Sequence, residues 1–449
     1  MVSYKRISKT HKIRMTIQTE EEFKKAKESL QRDKHFFHSD KFAELAKFVK
    51  EALARQDSDM ALTLITKGAL SLGGSDIHYD VGNTGIAVRL RIDGHLVTIF
   101  ELTTAEYKII LERLKYKSNL KLNITNVPQD GKYRIDESDD RIDVRISTLP
   151  VKLGENVVCR ILDSTNSIPA MSDLGFMWTS KRQIDKSMTK KNGMILVTGP
   201  TGSGKTTTLY SVLATLNTEE KKIITLEDPI EYELPGVVQS EVNEKNGYTY
   251  ANGLKALLRQ DPDVIMIGEI RDFETADIAA QASLTGHLVL STLHTKSASE
   301  TIERLINMGL PPYILASSID IIIAQRLVRK ICPHCIESYE ADQDESDIIK
   351  WMMKDIGIEA VSKAKKTGFK LHRGKGCEQC GYTGYRGRVG IFEVLYFSDA
   401  IRSLIREGAT PAEILAAGRE QDLILMREDG VLKAMRGKTT LKELFGVID

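Results

Sequence analysis

The chain has 449 residues, and at about 150 residues per domain this length predicts three domains. Its 63 Lys and Arg residues nearly cancel its 62 Asp and Glu residues, which leaves a formal net charge of +1. A charge this close to zero argues against a protein that coats nucleic acid or collects polyanions. Hydrophobic residues make up 41% and charged residues 28% of the chain, which excludes an intrinsically disordered protein.

The sequence contains neither a membrane-spanning run nor a secretory signal. No apolar run reaches the ~18 residues that a membrane helix needs. The nearest, 310–328, includes Asp320, Arg326 and two prolines, and we interpret it as a buried helix. Residues 1–23 lack the apolar stretch of a signal peptide. We therefore expect a cytoplasmic protein.

The first part of the chain has helical and then strand patterns. Residues 1–60 are charged, and 42–54 place apolar residues at helical spacing. Within 61–162, which we predict to be a small α/β domain, the segments 86–92 and 141–146 alternate apolar and polar residues as half-buried strands do. Asp93-Gly94 follows the first of these segments and is a strong hairpin signal. The polar, turn-rich stretch 163–173 is predicted to be a linker.

Continuous apolar runs follow that linker and are typical of parallel strands buried on both faces. They lie at 194–199, 223–228, 264–269 and 288–294. Helical segments separate them, so 174–330 is predicted to be an α/β core with a parallel sheet. Residues 331–390 contain two cysteine pairs, and 391–449 are predicted to be helical.

The segment GPTGSGKTTTLY fits the phosphate-binding pattern G-x-x-x-x-G-K-[ST], and it lies between a buried strand and an amphipathic helix. Such a loop turns backbone N–H groups toward phosphate oxygens. Lys205 would reach the β- and γ-phosphates, and the Thr206 hydroxyl would ligate Mg²⁺. The predicted loop residues are Gly199, Pro200, Thr201, Gly202, Ser203, Gly204, Lys205, Thr206 and Thr207.

Acidic and imidazole side chains flank the neighbouring apolar runs. They are Glu227, Asp228 and Glu231 near the end of the second run, Glu269 after the third, and His287 and His294 at the two ends of the fourth. The carboxyl ends of parallel strands form the ligand crevice of α/β proteins, so we expect these groups near the nucleotide. Each could instead make a structural hydrogen bond, and for His287 the two interpretations are equally favoured.

The order of GPTGSGKTT, LEDPIEY, DVIMIGEIRD and TGHLVLSTLHT resembles the secretion ATPases that drive type II secretion and type IV pili. In that family these segments are the Walker A motif, Asp box, Walker B motif and His box. Upstream, SDIHYD, RIDGHL, PQDGK and DVRISTLP resemble its N-terminal nucleotide-facing domain. The resemblance covers about residues 61–449.

This resemblance implies a homohexameric ring of two-domain subunits that hydrolyses ATP with Mg²⁺. Each subunit would join a smaller PAS-like α/β domain to a RecA-like P-loop core, with a small zinc-binding subdomain and a helical C-terminus. The ring would pass its domain motion to an inner-membrane platform protein, and so would lie peripherally at the inner face of the cytoplasmic membrane. No nucleic acid is expected as a partner.

The resemblance also implies roles for individual residues. Glu231 would polarise the attacking water and Glu269 would belong to the Mg²⁺ shell, although these two roles could be exchanged. Arg145 and Arg160 match arginines that close onto the γ-phosphate and neutralise charge on the transferring phosphoryl group. Arg134 and Arg271 are weaker candidates, and His294 and Lys205 complete the predicted catalytic set.

Four of the five cysteines form two Cys-x-x-Cys pairs. Cys332 and Cys335 with Cys377 and Cys380 can supply four thiolates in a tetrahedron around Zn²⁺. A redox pair is the alternative, but two pairs without a thioredoxin-like unit favour a structural metal. The remaining cysteine, Cys159, is interpreted as a core residue.

Alternative functions remain at this stage. The segment AIRSLIREG resembles a helix of pilus retraction ATPases, which generally lack the cysteine pairs, whereas the pairs favour an assembly or export motor. The region before residue 60 is shorter than the N-terminal domains of many assembly ATPases. A zinc-bearing nucleic-acid motor, of the helicase or conjugation type, is a candidate from another class, as is a nucleotide-gated scaffold that does not hydrolyse ATP.

Overall fold

The structure is a computed structural model that describes residues 39–137, 140–163, 168–353, 356 and 369–448. It divides into two compact units, and the division falls after Asp163. Unit 1 contains α1 (Ser39–Ala54), α2 (Ser58–Ser71), β1 (Gly74–Val81), β2 (Ile86–Ile92), β3 (His95–Leu102), α3 (Thr104–Lys117), β4 (Gln129–Glu137), β5 (Asp140–Val151) and β6 (Gly154–Asp163).

Unit 1 is a six-stranded antiparallel sheet in the order β3-β2-β1-β6-β5-β4, with helices packed on one face. The predicted alternation in β2 is confirmed, since Ile86, Val88 and Leu90 are buried while Arg89 and Arg91 are half-buried. The hairpin at Asp93-Gly94 is confirmed as well. Both turn residues have positive φ, as a tight β2–β3 turn requires.

Helix α1 confirms the helical pattern seen at 42–54 and begins three residues earlier, at Ser39. Its apolar stripe, which includes Leu45, Val49 and Leu53, packs into the same core as the sheet of unit 1. A division of the chain at residue 60 therefore does not coincide with a break in the packing.

Unit 2 contains the larger sheet and most of the helices. Its elements are α4 (Trp178–Met188), β7 (Gly193–Thr198), α5 (Lys205–Leu216), β8 (Ile223–Glu227), β9 (Val238–Glu241), α6 (Tyr250–Leu257), β10 (Val264–Ile267), α7 (Phe273–Leu284), β11 (Leu288–Leu293), α8 (Ala298–Asn307), α9 (Pro312–Ser318), β12 (Ile319–Ile331), β13 (Ile336–Glu340), α10 (Gln343–Met352), β14 (Lys370–Gly374), β15 (Tyr385–Tyr396), α11 (Asp399–Arg406), α12 (Pro411–Arg419), α13 (Met426–Met435) and α14 (Leu441–Phe445).

The seven strands of the larger sheet lie in the order β15-β12-β7-β11-β10-β8-β9. Every neighbouring pair is parallel except β12 and β15, so the predicted parallel core is confirmed. Strands β7, β8, β10 and β11 are buried along their whole length, as their unbroken apolar sequence indicates. Their carboxyl ends meet at one edge of the sheet.

The interpretation of 310–328 as one buried helix is wrong. The helix α9 covers only Pro312–Ser318, and β12 begins at Ile319. The run of isoleucines at 319, 321, 322 and 323 fits a strand between β7 and β15, because β-branched side chains pack well on a pleated surface. None of the helices in the described stretches has the length and apolar character needed to cross a bilayer.

Candidate nucleotide site and metal centre

The segment 199–204 connects the end of β7 to the start of α5, which is the strand–loop–helix context of a phosphate loop. Gly202 and Gly204 have φ of +79° and +86°, a left-handed conformation that glycine adopts without strain. The loop lies where the parallel strands end, beside the segments that follow β10 and β11. The N-terminus of α5 gives this position a positive potential.

Lys205 lies across the loop that precedes it. Its Nζ donates hydrogen bonds to the carbonyl oxygens of Gly199, at 2.9 Å, and of Pro200, at 3.1 Å. Burial lowers the pKa of Lys205 below its usual value, the carboxylate of Glu269 opposes this shift, and the cation of Arg326 adds to it. The ammonium group therefore lies in the field of both side chains.

Glu269, after β10, has both carboxylate oxygens engaged. Its Oε1 accepts a hydrogen bond of 2.6 Å from Nε of Arg271, and its Oε2 lies 3.2 Å from Nε2 of His294. The bond to Glu269 raises the pKa of the Arg271 guanidinium. These three residues line a cavity of about 300 Å³. The structure thus brings together two predicted site residues, and it adds Arg271, which the sequence identifies only as a weaker candidate.

Glu227 is held inside the structure and does not face open solvent. Only 3% of it is exposed. Its Oε1 accepts hydrogen bonds from the hydroxyl of Thr225, at 2.6 Å, and from the amide of Gln239, at 3.1 Å, while the Tyr210 hydroxyl donates to Oε2. Burial, together with the adjacent Glu227 carboxylate, raises the pKa of Tyr210. This arrangement indicates that Glu227 orders the edge of the sheet.

The other acidic residues of this segment follow β8. Asp228 is exposed and Glu231 is half-buried. The backbone N–H of Glu231 donates to the Tyr210 hydroxyl at 3.3 Å, so the chain at Glu231 is tied to α5. Tyr250, buried in α6, has its pKa raised by burial and then by the carboxylates of Glu269 and Asp228. Its hydroxyl therefore lies among the acidic groups of this edge.

The structure separates His287 from the other predicted site residues. His287 precedes β11, and its Nδ1 lies 3.0 Å from the carbonyl oxygen of Ala282. His294 follows the same six-residue strand, so about 20 Å of strand lies between the two imidazoles. Since β11 is parallel to β7, the start of β11 is at the opposite edge of the sheet from the phosphate loop.

In unit 1, Arg145 and Arg160 are direct cross-strand neighbours on β5 and β6. Both side chains point to the sheet face opposite the core, where Arg160 is 57% exposed. Its Nε donates a 3.0 Å hydrogen bond to Oδ1 of the buried Asp76. The two predicted arginines therefore lie side by side on neighbouring strands. Arg134 instead donates a 2.7 Å hydrogen bond from Nε to Oδ1 of Asp143.

The four paired cysteines form one cluster. Their sulfur atoms all lie within 4.8 Å of one another. Three Sγ–Sγ distances are 3.9 Å for Cys332–Cys377, 3.8 Å for Cys335–Cys380 and 3.8 Å for Cys377–Cys380. A tetrahedron with Zn–S bonds of about 2.3 Å has edges of about 3.8 Å, so the cluster has the dimensions of a tetrathiolate zinc site.

Backbone groups also prepare this cluster for a metal. The N–H groups of Cys377 and Gly384 each lie 3.3 Å from Sγ of Cys380, and such contacts stabilise a thiolate. All five cysteines of the chain are described, and none is in a disulfide. Cys159 is fully buried in the core of unit 1, as predicted.

Several residues of the site escape sequence reasoning. Tyr250 and Gln239 lie in segments without a motif, and Tyr210 lies beyond the positions that the phosphate-binding pattern specifies, so their roles follow only from the fold. Gln325 and Arg326 end an apolar run, IDIIIA, and polar residues directly after such a run are a signal that could have located them. The interpretation of 310–328 as a helix hides that signal.

Comparison with known proteins identifies relatives over most of the chain. The sequence model of the family described as "Type II/IV secretion system protein" matches residues 55–446. Type II secretion system protein E of Pseudomonas aeruginosa is 42% identical over 401 residues, which are 88% of this chain and 77% of that protein. Type IV pilus assembly ATPase PilB of Thermus thermophilus is 42% identical over 370 residues, covering 82% of this chain and 40% of PilB.

Two solved structures have the same fold. The Legionella pneumophila ATPase DotB aligns with a TM-score of 0.63 at 23% identity, covering 86% of this chain and 94% of DotB. The pilus retraction motor PilT with bound ADP aligns with a TM-score of 0.57 at 29% identity, covering 86% and 96%. At these identities the DotB likeness concerns the fold alone.

Proposed function

This chain belongs to the type II/IV secretion system protein family, and from this premise we propose that it is the ATPase of a type II secretion or type IV pilus assembly machine. The observation that carries the proposal is the arrangement at the carboxyl edge of the larger sheet. There a glycine-rich loop with Lys205 precedes a helix, and Glu269 lies between Arg271 and His294. This is the set of groups that phosphoryl transfer requires.

In this proposal the loop from Gly199 to Thr207 binds the phosphates of ATP through its N–H groups and Lys205. The hydroxyl of Thr206 and the carboxylate of Glu269 are hard oxygen donors, the type that Mg²⁺ prefers, so these residues fit the ion. When bound, Mg²⁺ neutralises charge on the β- and γ-phosphate oxygens. Asp228 is exposed directly after β8, at the same edge of the sheet, and adds an acidic oxygen there.

We assign acceptance of the proton from the attacking water to Glu231. Both oxygens of Glu269 already have a cationic or imidazole neighbour, and we assign its carboxylate to the Mg²⁺ shell. Glu231 lies on the segment after β8 and is tied to α5 through Tyr210. His294 would then hold Glu269 in position, and Glu227, with its three hydrogen bonds, would support the segment without contacting the nucleotide.

Further parts of the proposal concern assembly. We propose a homohexamer in the cytoplasm, docked at the inner face of the cytoplasmic membrane through a platform protein. Arg145 and Arg160 would supply positive charge to the transferring phosphoryl group. Zn²⁺ at the four cysteines would hold a small subdomain in shape, and would take no part in hydrolysis.

The test is ATP turnover by purified variants. We expect Lys205→Ala and Glu231→Gln each to lower kcat/KM at least about 100-fold, because each removes a group that acts on the transition state. The exposed Lys245→Ala and Glu219→Gln are matched controls that should turn over ATP at the wild-type rate. Unchanged turnover in Lys205→Ala would overturn the assignment of an ATPase site.

Pilus retraction is the second candidate, and the PilT likeness favours it. A chromosomal deletion separates the two. Deletion of an assembly or secretion ATPase leaves cells without pili or without the exported protein. Deletion of a retraction motor leaves cells with more surface pili. The four-cysteine cluster and the PilB and secretion protein E relatives support the first outcome.

A further inference from the structure

Strand β12 reaches the phosphate loop from the side opposite β11. It is parallel to β7, and the last paired positions are Ala324 and Thr198. The next residue, Gln325, is therefore level with the first residue of the loop, Gly199. Its side chain is 2% exposed although it is an amide at the end of an apolar run.

The Gln325 side chain bridges the loop and the helix that follows it. Its Nε2 donates a 2.8 Å hydrogen bond to the backbone carbonyl oxygen of Ser203. Its Oε1 accepts a 2.7 Å hydrogen bond from the hydroxyl of Thr208 in α5. Burying an amide is costly unless both of its ends are bonded, and an aliphatic residue would fill this place at lower cost if packing alone were required. The amide at this position is therefore explained by its two hydrogen bonds and not by packing.

The glycines of the loop fit closely around this residue. A Cβ added to Gly204 would lie 2.8 Å from Nε2 of Gln325, and one added to Gly199 would lie 2.5 Å from the carbonyl oxygen of Gln325. Two glycines of the phosphate motif thus let β12 approach the loop. A side chain at either glycine would therefore collide with Gln325 in its present position.

We infer that Gln325 is a positioning residue that aims the phosphate loop at its ligand. The Ser203 carbonyl and the Gly204 N–H belong to one planar trans peptide, so they point in opposite directions. Holding the carbonyl on the β12 side turns the Gly204 N–H away from β12, which is the side on which we place the phosphates. This inference rests on the proposed function, since it takes the loop's ligand to be the phosphates of ATP.

Arg326 ties the neighbouring segment to the same strand. Its Nη2 donates to the carbonyl oxygen of Lys296, at 3.3 Å, and Lys296 follows His294 by two residues. Consecutive residues of β12 therefore contact the phosphate loop and the segment after His294. The two segments that would enclose the terminal phosphate share one support.

Three variants test the inference, with Mg²⁺ and a fluorescent ATP analogue as the probe. Gln325→Glu keeps an acceptor for Thr208 but has no donor for Ser203, and Gln325→Leu removes both bonds at similar volume. Thr208→Val is the control, because it removes the bond to α5 and leaves the bond to Ser203. Thermal unfolding of each variant without nucleotide measures the structural cost separately.

We expect both Gln325 variants to bind the analogue about ten-fold more weakly, or about 1.4 kcal/mol, and to raise KM while kcat changes less than about three-fold. Thr208→Val should bind within about two-fold of wild type although its Tm falls. Wild-type affinity in a folded Gln325 variant, or equal weakening in Thr208→Val, would overturn the inference. A wild-type chain that does not bind the analogue would overturn the proposed function, and the inference with it.

Discussion

Removal of the metal from the four-cysteine cluster should lower the free energy of unfolding of unit 2, by an amount that depends on how many residues separate the cysteines it joins. Cys332 and Cys377 are 45 residues apart, as are Cys335 and Cys380. A bound ion cross-links both pairs, whereas without it the described part of the intervening segment is held by the β13–β14 ladder and by the packing of α10 on the core. Cys332→Ser and Cys377→Ser remove one ligand from each end of this loop.

The expected cost follows from the entropy of closing that loop. If the bound ion is treated as a cross-link, closure of a 45-residue loop raises the free energy of the unfolded chain by about 4 kcal/mol at 25 °C, because it lowers the chain's entropy. For a unit of this size, such a loss lowers Tm by roughly 10 °C. Zinc affinity itself adds a mass-action term that grows with free zinc, so the measured shift should increase with zinc concentration.

The assay combines metal content with thermal unfolding. We expect one zinc per chain in the wild type, less in Cys332→Ser and Cys377→Ser, and a lower Tm in both and in wild type treated with a strong chelator. Cys159→Ala is the matched control, because it removes the cysteine that lies outside the cluster and should keep the metal. Full metal content in Cys332→Ser, or a chelated wild type with unchanged Tm, would refute the reasoning.

Two further predictions concern buried charges. Lys115 and Glu155 form an ion pair whose side chains are only 2% and 3% exposed. Lys115→Met should therefore lower the free energy of unfolding of unit 1, measured in urea, by about 3–5 kcal/mol, and adding Glu155→Leu should restore most of that stability. A double variant no more stable than the single one would contradict this. Glu227→Ala leaves the buried hydroxyls of Thr225 and Tyr210 without this acceptor and removes one acceptor of the half-buried Gln239, which should cost about 3 kcal/mol. Glu227→Gln should cost less, and thermal melts that show the opposite order would contradict this.

Much of the fold could be predicted because its signals are local. Unbroken apolar runs identify β7, β8, β10 and β11 as parallel strands, and strict alternation identifies β2 and β5 as half-buried ones. The failure at 310–328 has a physical cause. A short apolar run has no periodicity that separates a buried strand from a buried helix, and only its neighbours β7 and β15 decide the outcome.

Some residues of the candidate site can likewise be predicted from local sequence, whereas others depend on the fold. Lys205 and the cysteines belong to motifs whose spacing fixes their geometry, so their positions follow from sequence. His287 lies at the start of the apolar run and His294 at its end, so the separation of His287 from the loop follows once β7 and β11 are known to be parallel. The position of Gln325 at the end of an apolar run is a local signal, but its role depends on hydrogen bonds to Ser203 and Thr208 that join segments more than 100 residues apart in the chain.

Strand β12 also connects the two chemical centres of unit 2. Gln325 lies beside the phosphate loop, and Cys332 follows the end of the same strand, about 23 Å further along. Between these points β12 is paired with β15 in an antiparallel ladder, so it cannot extend or slip without breaking several hydrogen bonds. The ladder shifts register between Arg329 and Ile331, just before the cluster. Gln325 and Cys332 are thus joined by one strand, and a displacement of β12 at Gln325 would reach the base of the cysteine cluster through this ladder.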